Sequence, residues 1–127
     1  TRQIAKKTGL PITTVHNRLK KLVKNKVIRK FTIIPDYEAL GKGVLVIVSA
    51  VIEHGQLVEP KKGIEGLKRQ LHSFHEVEHV YAVTGGIDLV MFIRVGGIKE
   101  LDEFLIKKLR NIKGIKNTTT QIVLEED

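Results

Sequence analysis

Along the first thirty positions apolar residues recur at helical rather than strand spacing. In TRQIAKKTGL a short helix places Ile4 and Ala5 toward a core and stops near Gly9, a residue able to take the positive φ of a reversal. From Pro11 onward Ile12, Val15, Leu19, Leu22 and Val23 fall in one stripe at about 100° per residue, and such a stripe is expected to be buried. Residues 27–34 are β-branched enough for a short strand, either a wing or a rod leaving the head, and Pro35 ends it. The following PDYEALGKG has turn residues at both ends. The expected division is therefore a head at 1–34, a linker at 35–43 and a body at 44–127.

The body alternates periods. Residues 44–53 (VLVIVSAVIE) read as a strand, and 63–72 as a helix with Ile64, Leu67 and Leu71 on one face. Residues 77–84 and 88–95 read as strands joined through Gly85, Gly86 and Ile87. Next come a helix at 98–112, with Ile98, Leu101, Leu105, Leu109 and Ile112 inward, and a closing strand at 118–124. This order is the βαββαβ of a ferredoxin-like unit, so the fold class is α+β. With both helices on one face of the sheet, the other face should alternate with polar residues. Yet VLVIVSAVI and LVMFIRV are apolar on both faces, which predicts that a second copy covers the open side.

Charge sharpens the division. Residues 1–43 hold 11 Lys and Arg against 2 acids, while residues 44–127 hold 11 against 12, so the net +8 of the chain resides in its first third. Local charge of this kind attracts a polyanion to the head and leaves the body nearly neutral. The outer side of the second helix carries Thr13, Thr14, Asn17, Lys20, Lys21 and Lys24, flanked by His16 and Arg18. Polar side chains in a first helical turn reach base edges in a major groove, and lysines further along meet phosphates. A lysine-rich helix by itself is most often only a solvated amphipathic one. The helix and glycine turn before it favour a duplex-DNA-reading pair.

These residues carry a resemblance. G-L-P-I-T-T-V-H-N-R-L-K-K-L followed by K-V-I resembles the helix-turn-helix of the Lrp/AsnC transcription regulators, and Leu40-Gly41 resembles the close of that family's linker. Pro11 stands where the family usually has Ser, which leaves Thr13 as the candidate cap. The family has a further helix before this point, so the resemblance implies an N-terminally incomplete, partial winged helix-turn-helix. Further on, Y-A-V-T-G-G-I-D resembles the effector-domain signature, and Thr118, Thr119 and Thr120 match its closing strand. The resemblance implies homodimers that assemble into a tetramer or octamer and bind an amino-acid-like effector where dimers meet.

The residues named for the effector are Thr84, Gly85, Gly86, Ile87, Asp88 and the three threonines. Physically, bare glycine N–H groups can approach a carboxylate, Asp88 can hold an ammonium and hydroxyls can complete the shell. The plainer reading is a hairpin turn that needs positive φ, with Asp88 as its cap. Gly86 departs from the family, which commonly has an acid there.

Other chemistries find little support. His72, His75, Glu76 and His79 would align as metal ligands only on one continuous helix, and the strand expected from Val77 divides them, so no metal site is expected. No nucleophile with a base, no GxGxxG and no P-loop is present, so neither an enzyme nor a cofactor is expected. The chain lacks cysteine, and its longest apolar run is too short to span a bilayer. A cytoplasmic regulator without membrane contact is the expectation. The rival readings are an ACT-like small-molecule-binding regulatory subunit docking an acidic protein and a ferredoxin-like RNA binder; only Phe92 is a centrally placed aromatic for the latter.

Overall fold

Gly9 sets the geometry of the head. Its left-handed φ of 72° and ψ of 11° close helix α1 (Arg2–Thr8), and its N–H donates to the Ala5 carbonyl at 3.0 Å. Thr8 Oγ1 also donates to the Ile4 carbonyl at 2.7 Å. Helix α2 (Ile12–Lys24) starts after Pro11 and has no side-chain cap, so Thr13 does not take that role. Val15 N–H donates to the Pro11 carbonyl instead, at 3.1 Å. At the other end Lys26 adopts φ 61°, and Val27 N–H reaches back to the Leu22 carbonyl at 2.8 Å.

The apolar stripe of α2 is covered only in part. Ala5 and Val15 are the buried residues of the two helices, whereas Ile4, Ile12, Leu22 and Val23 remain exposed at 38–51%. Two helices of 7 and 13 residues present too little facing surface to enclose five large side chains. The strand expected at 27–34 does not form. Phe31, Ile33 and Ile34 are 71%, 82% and 91% exposed, and an extended segment without a ladder partner is not a strand.

The computed structural model describes residues 1–127 and divides after Pro35, so residues 36–43, expected as a linker, belong to the body. Two contacts account for this: the Arg94 guanidinium lies 3.8 Å over the Tyr37 ring, and Lys42 pairs with Glu100.

In the body β1 (Val44–Ile52), α3 (Gly63–His72), β2 (Val77–Ala82), β3 (Leu89–Val95), α4 (Ile98–Glu103) and β4 (Ile115–Ile122) give the expected βαββαβ order. The sheet is antiparallel, in the order β2-β3-β1-β4. Val46, Val48 and Ala50 of β1 and Leu89, Met91, Ile93 and Val95 of β3 are fully buried under the helices with Leu71 and Phe104. The period-2 pleat sends Leu45, Ile47, Ser49, Val51, Val90, Phe92 and Arg94 to the opposite, open face. A bulge after Val77 turns His79 and Tyr81 to that face as well, where both rings meet Phe92, Tyr81 edge-on at 5.7 Å.

The final helix departs from the expected one. After Glu103 a π turn (Phe104–Lys108) and a 3-10 turn (Leu109–Asn111) follow. The wider turn aligns residues five apart, so Phe104 and Leu109 both point inward, while Ile98 is left 63% exposed. Strict helical periodicity missed Phe104, which is fully buried with its ring edge-on to Phe74 at 5.8 Å. Phe104→Ala should therefore destabilise the body by about 3–5 kcal/mol in urea unfolding, against less than about 1 kcal/mol for Ile98→Ala.

Candidate functional site

The head carries ten Lys and Arg and no acid. On α2, at about 100° per residue, Thr13, Asn17, Lys20 and Lys24 fall within about 60° of one another on the outward side. All four are exposed, as are His16, Arg18 and Lys21; Thr14 is half-buried. Thr13, His16 and Asn17 line one hollow together with Arg2 and Gln3 of α1. Sequence reasoning missed those two, although polar residues opening a helix beside a basic one are a readable sign. Arg18 and Thr14 lie on the flank away from this hollow. The arrangement offers amide, imidazole and hydroxyl groups to base edges at one end of α2 and ammonium groups to phosphates at the other.

The second candidate site is the β2–β3 connection. It is longer than expected, running over 83–88, and Val83 N–H donates to the Asp88 carbonyl at 3.0 Å to close it. Gly85 has φ 105°, and nothing lies within 4 Å of an added Cβ at Gly85 or Gly86, so the tip is bare backbone open to approach. Asp88 is tied to the sheet: its N–H donates to the Ala50 carbonyl at 3.0 Å, and its Oδ2 accepts the Ile52 N–H at 2.8 Å. One carboxylate oxygen thus completes the end of the β1 ladder. The three threonines do not share a face. Thr119 pairs with Ser49 and stands on the open side, whereas Thr118 and Thr120 line a hollow beneath the π turn with Leu105, Leu109 and Arg110. The sheet pleat is the reason, since neighbouring residues of a strand point to opposite faces. A single shell containing Thr84, the glycines and all three hydroxyls therefore does not assemble within one chain.

A helix-turn-helix head joined to a βαββαβ body, with the basic charge confined to the head, defines a DNA-binding regulator. Residues 56–126 match the Lrp/AsnC ligand binding domain, and residues 1–29 match the winged helix-turn-helix DNA-binding family. HTH-type transcriptional regulator FL11 of Pyrococcus abyssi is 38% identical over 124 residues, which cover 98% of this chain and 77% of that protein. Among solved structures, AsnC of E. coli superposes with a TM-score of 0.76 at 26% identity, covering 98% of this chain and 79% of that one. The regulator NMB0573 of Neisseria meningitidis, solved as a complex with L-Met, gives a TM-score of 0.81 at 19% identity, with 96% and 76% covered, and so shows the fold. The chain belongs to the Lrp/AsnC family and is a DNA-binding transcription regulator of that type.

Two expected outcomes follow from the geometry. Asn17→Ala should weaken binding to a specific duplex by about 1–3 kcal/mol and relax preference at one base pair, whereas Lys24→Ala should weaken all duplexes alike and lower the salt slope by about one. Fluorescence titrations on specific and random DNA at several salt concentrations separate the two, and equal losses on both duplexes for Asn17→Ala would remove its base-reading role. At the loop, Asp88→Ala strands the Ile52 N–H and should cost about 1–3 kcal/mol in urea unfolding. Asp88→Asn retains an acceptor oxygen and should recover most of that stability while remaining unable to hold an ammonium ion.

Proposed function

We propose that this regulator works as a homodimer built through the open face of its sheet, that such dimers assemble into a tetramer or octamer, and that an amino-acid-like effector acts at the 84–88 loop. The open face carries the reading. Leu45, Ile47, Val51, Val90 and Phe92 form an apolar surface on the two central strands, with Tyr81 and His79 extending it along β2. A contiguous patch of this kind is costly in water and favours burial against a self-complementary copy. At one end the face is finished within the chain. Arg94 is 9% exposed beneath Tyr37 and donates to Glu126 at 2.7 Å, which holds the Glu126 carboxyl below the usual range. Its centre, around Ile47 and Phe92, has no such cover.

A dimer presents two basic heads, which suits a pseudo-palindromic duplex. For the effector, the bare glycine tip and the spare Asp88 oxygen are suited to the two charged ends of an amino acid, and the L-Met complex of the Neisseria protein supports that class of ligand. Catalysis has no part in this function, since a regulator needs only differences in affinity between states. The alternative of an ACT-like subunit docking an acidic protein leaves the helix-turn-helix match without a purpose.

Ile47→Glu on the full chain should shift sedimentation at micromolar concentration from dimer or larger to monomer and reduce affinity for a two-half-site duplex by at least tenfold. An unchanged assembly in a folded variant would contradict the interface. A thermal-shift screen of the amino acids on the wild-type chain tests the effector, since a ligand at 100 times its Kd adds about 2.7 kcal/mol of stability. No shift with any of them would set the amino-acid reading aside.

A further inference from the structure

The histidine-rich segment, which the start of β2 was expected to divide, is regrouped by the fold. His75 and Glu76 sit in the turn between α3 and β2, and the first turn of α4 brings Glu100 to them, so that one ligand atom from each lies within 4.8 Å of the others. His72 and His79 are not members of this cluster. Glu76 supplies the informative observation. It is 4% exposed, its Oε2 accepts from Lys108 Nζ at 2.6 Å, and its Oε1 is buried without a hydrogen-bond donor. His75 Nδ1 stands 3.3 Å from that oxygen, in contact but without hydrogen-bond geometry. An unpaired carboxylate oxygen in a protein interior is unfavourable, and a cation shared with the neighbouring imidazole and carboxylate would satisfy it.

We propose that His75, Glu76 and Glu100 form a binding site for a divalent transition ion of the zinc type. An imidazole with two carboxylates suits Zn²⁺, Co²⁺ or Mn²⁺ rather than Mg²⁺ or Ca²⁺, which favour all-oxygen shells. Ligand atoms at about 2.0–2.2 Å around a tetrahedral ion stand about 3.4 Å apart, close to the present His75–Glu76 separation; Glu100 has only to draw in. Water would take the fourth position. Nearby charges accommodate the ion. Lys42 pairs with Glu100, and Lys108 with Glu76, and both side chains are about one-third exposed and free to move toward solvent. The Gly96 N–H donates to Glu100 Oε2 at 2.6 Å and would orient that carboxylate, as outer partners do in metal sites. Bound there, the ion would tie the start of α4 to the α3–β2 turn.

The test uses the full chain, freed of metal with a chelator, and Co²⁺ as a spectroscopic probe beside Zn²⁺ in calorimetry. The wild type should take up one ion per chain with visible absorption of a low-coordinate Co²⁺ site, and Zn²⁺ should raise its melting temperature. His75→Ala, whose side chain is 68% exposed and removable without unfolding, and Glu100→Gln should each lose at least about tenfold in affinity. His72→Ala and His54→Ala should bind as the wild type does. Wild-type affinity in both His75→Ala and Glu100→Gln, or Co²⁺ uptake without a defined spectrum, would overturn the site.

Discussion

Two central strands that are apolar on both faces impose the main constraint on this molecule. The helices α3 and α4 cover one face of β1 and β3, and the pleat sends every second residue of those strands to the other. Ile47 and Phe92 are direct partners across the ladder on that open side. Their side chains cannot be moved to the helix side without shifting the register by one residue, which would expel Val46, Val48, Met91 and Ile93 from the core. The fold thus fixes an apolar open face, and the dimer proposed above rests on that face being covered by a second copy.

The separation of charge assigns DNA attraction to one part of the chain. The ten basic residues of the head have no acidic neighbours there, so attraction to phosphate is a property of the head, while the body holds 12 Lys and Arg against 14 acids and contributes little. An effector at the 84–88 loop would then influence DNA through the way copies are arranged. Any such coupling would be reciprocal, operator DNA changing effector affinity by the factor by which effector changes DNA affinity. Asp88 complicates this picture, because the carboxylate that would meet a ligand also holds the end of β1 in place.

Much of the body was legible in the sequence because its periods are clean. Helix α3 has the bounds and inward residues its spacing predicts, and the βαββαβ order follows from the alternation of strand and helix patterns. What periodicity cannot express is a change of period within an element, and the π turn at Phe104–Lys108 is such a change. Nor can it show what an element packs against. Ile12, Leu22 and Val23 of the α2 stripe and Phe31, Ile33 and Ile34 after it are patterned for burial yet remain exposed, and residues 36–43 look like a linker until Tyr37 meets Arg94. The candidate sites divide in the same way. Thr13, His16 and Asn17 converge because one helix carries them, whereas the threonines of β4 diverge because a strand does. Glu100 is separated from His75 by 25 positions, and no local pattern could have joined them.

The most direct test of the central claim is to learn what touches Ile47 in solution. A photo-crosslinking residue in its place, in an equal mixture of ¹⁴N- and ¹⁵N-labelled chains, distinguishes contacts between copies from contacts within one by the mass of the crosslinked peptides. A dimer through the open face should give mixed-isotope crosslinks from position 47 to the open-face residues of β1 and β3, such as Leu45, Val90 and Phe92. Crosslinks confined to single chains, or mixed crosslinks landing on the helix side of the body, would contradict it.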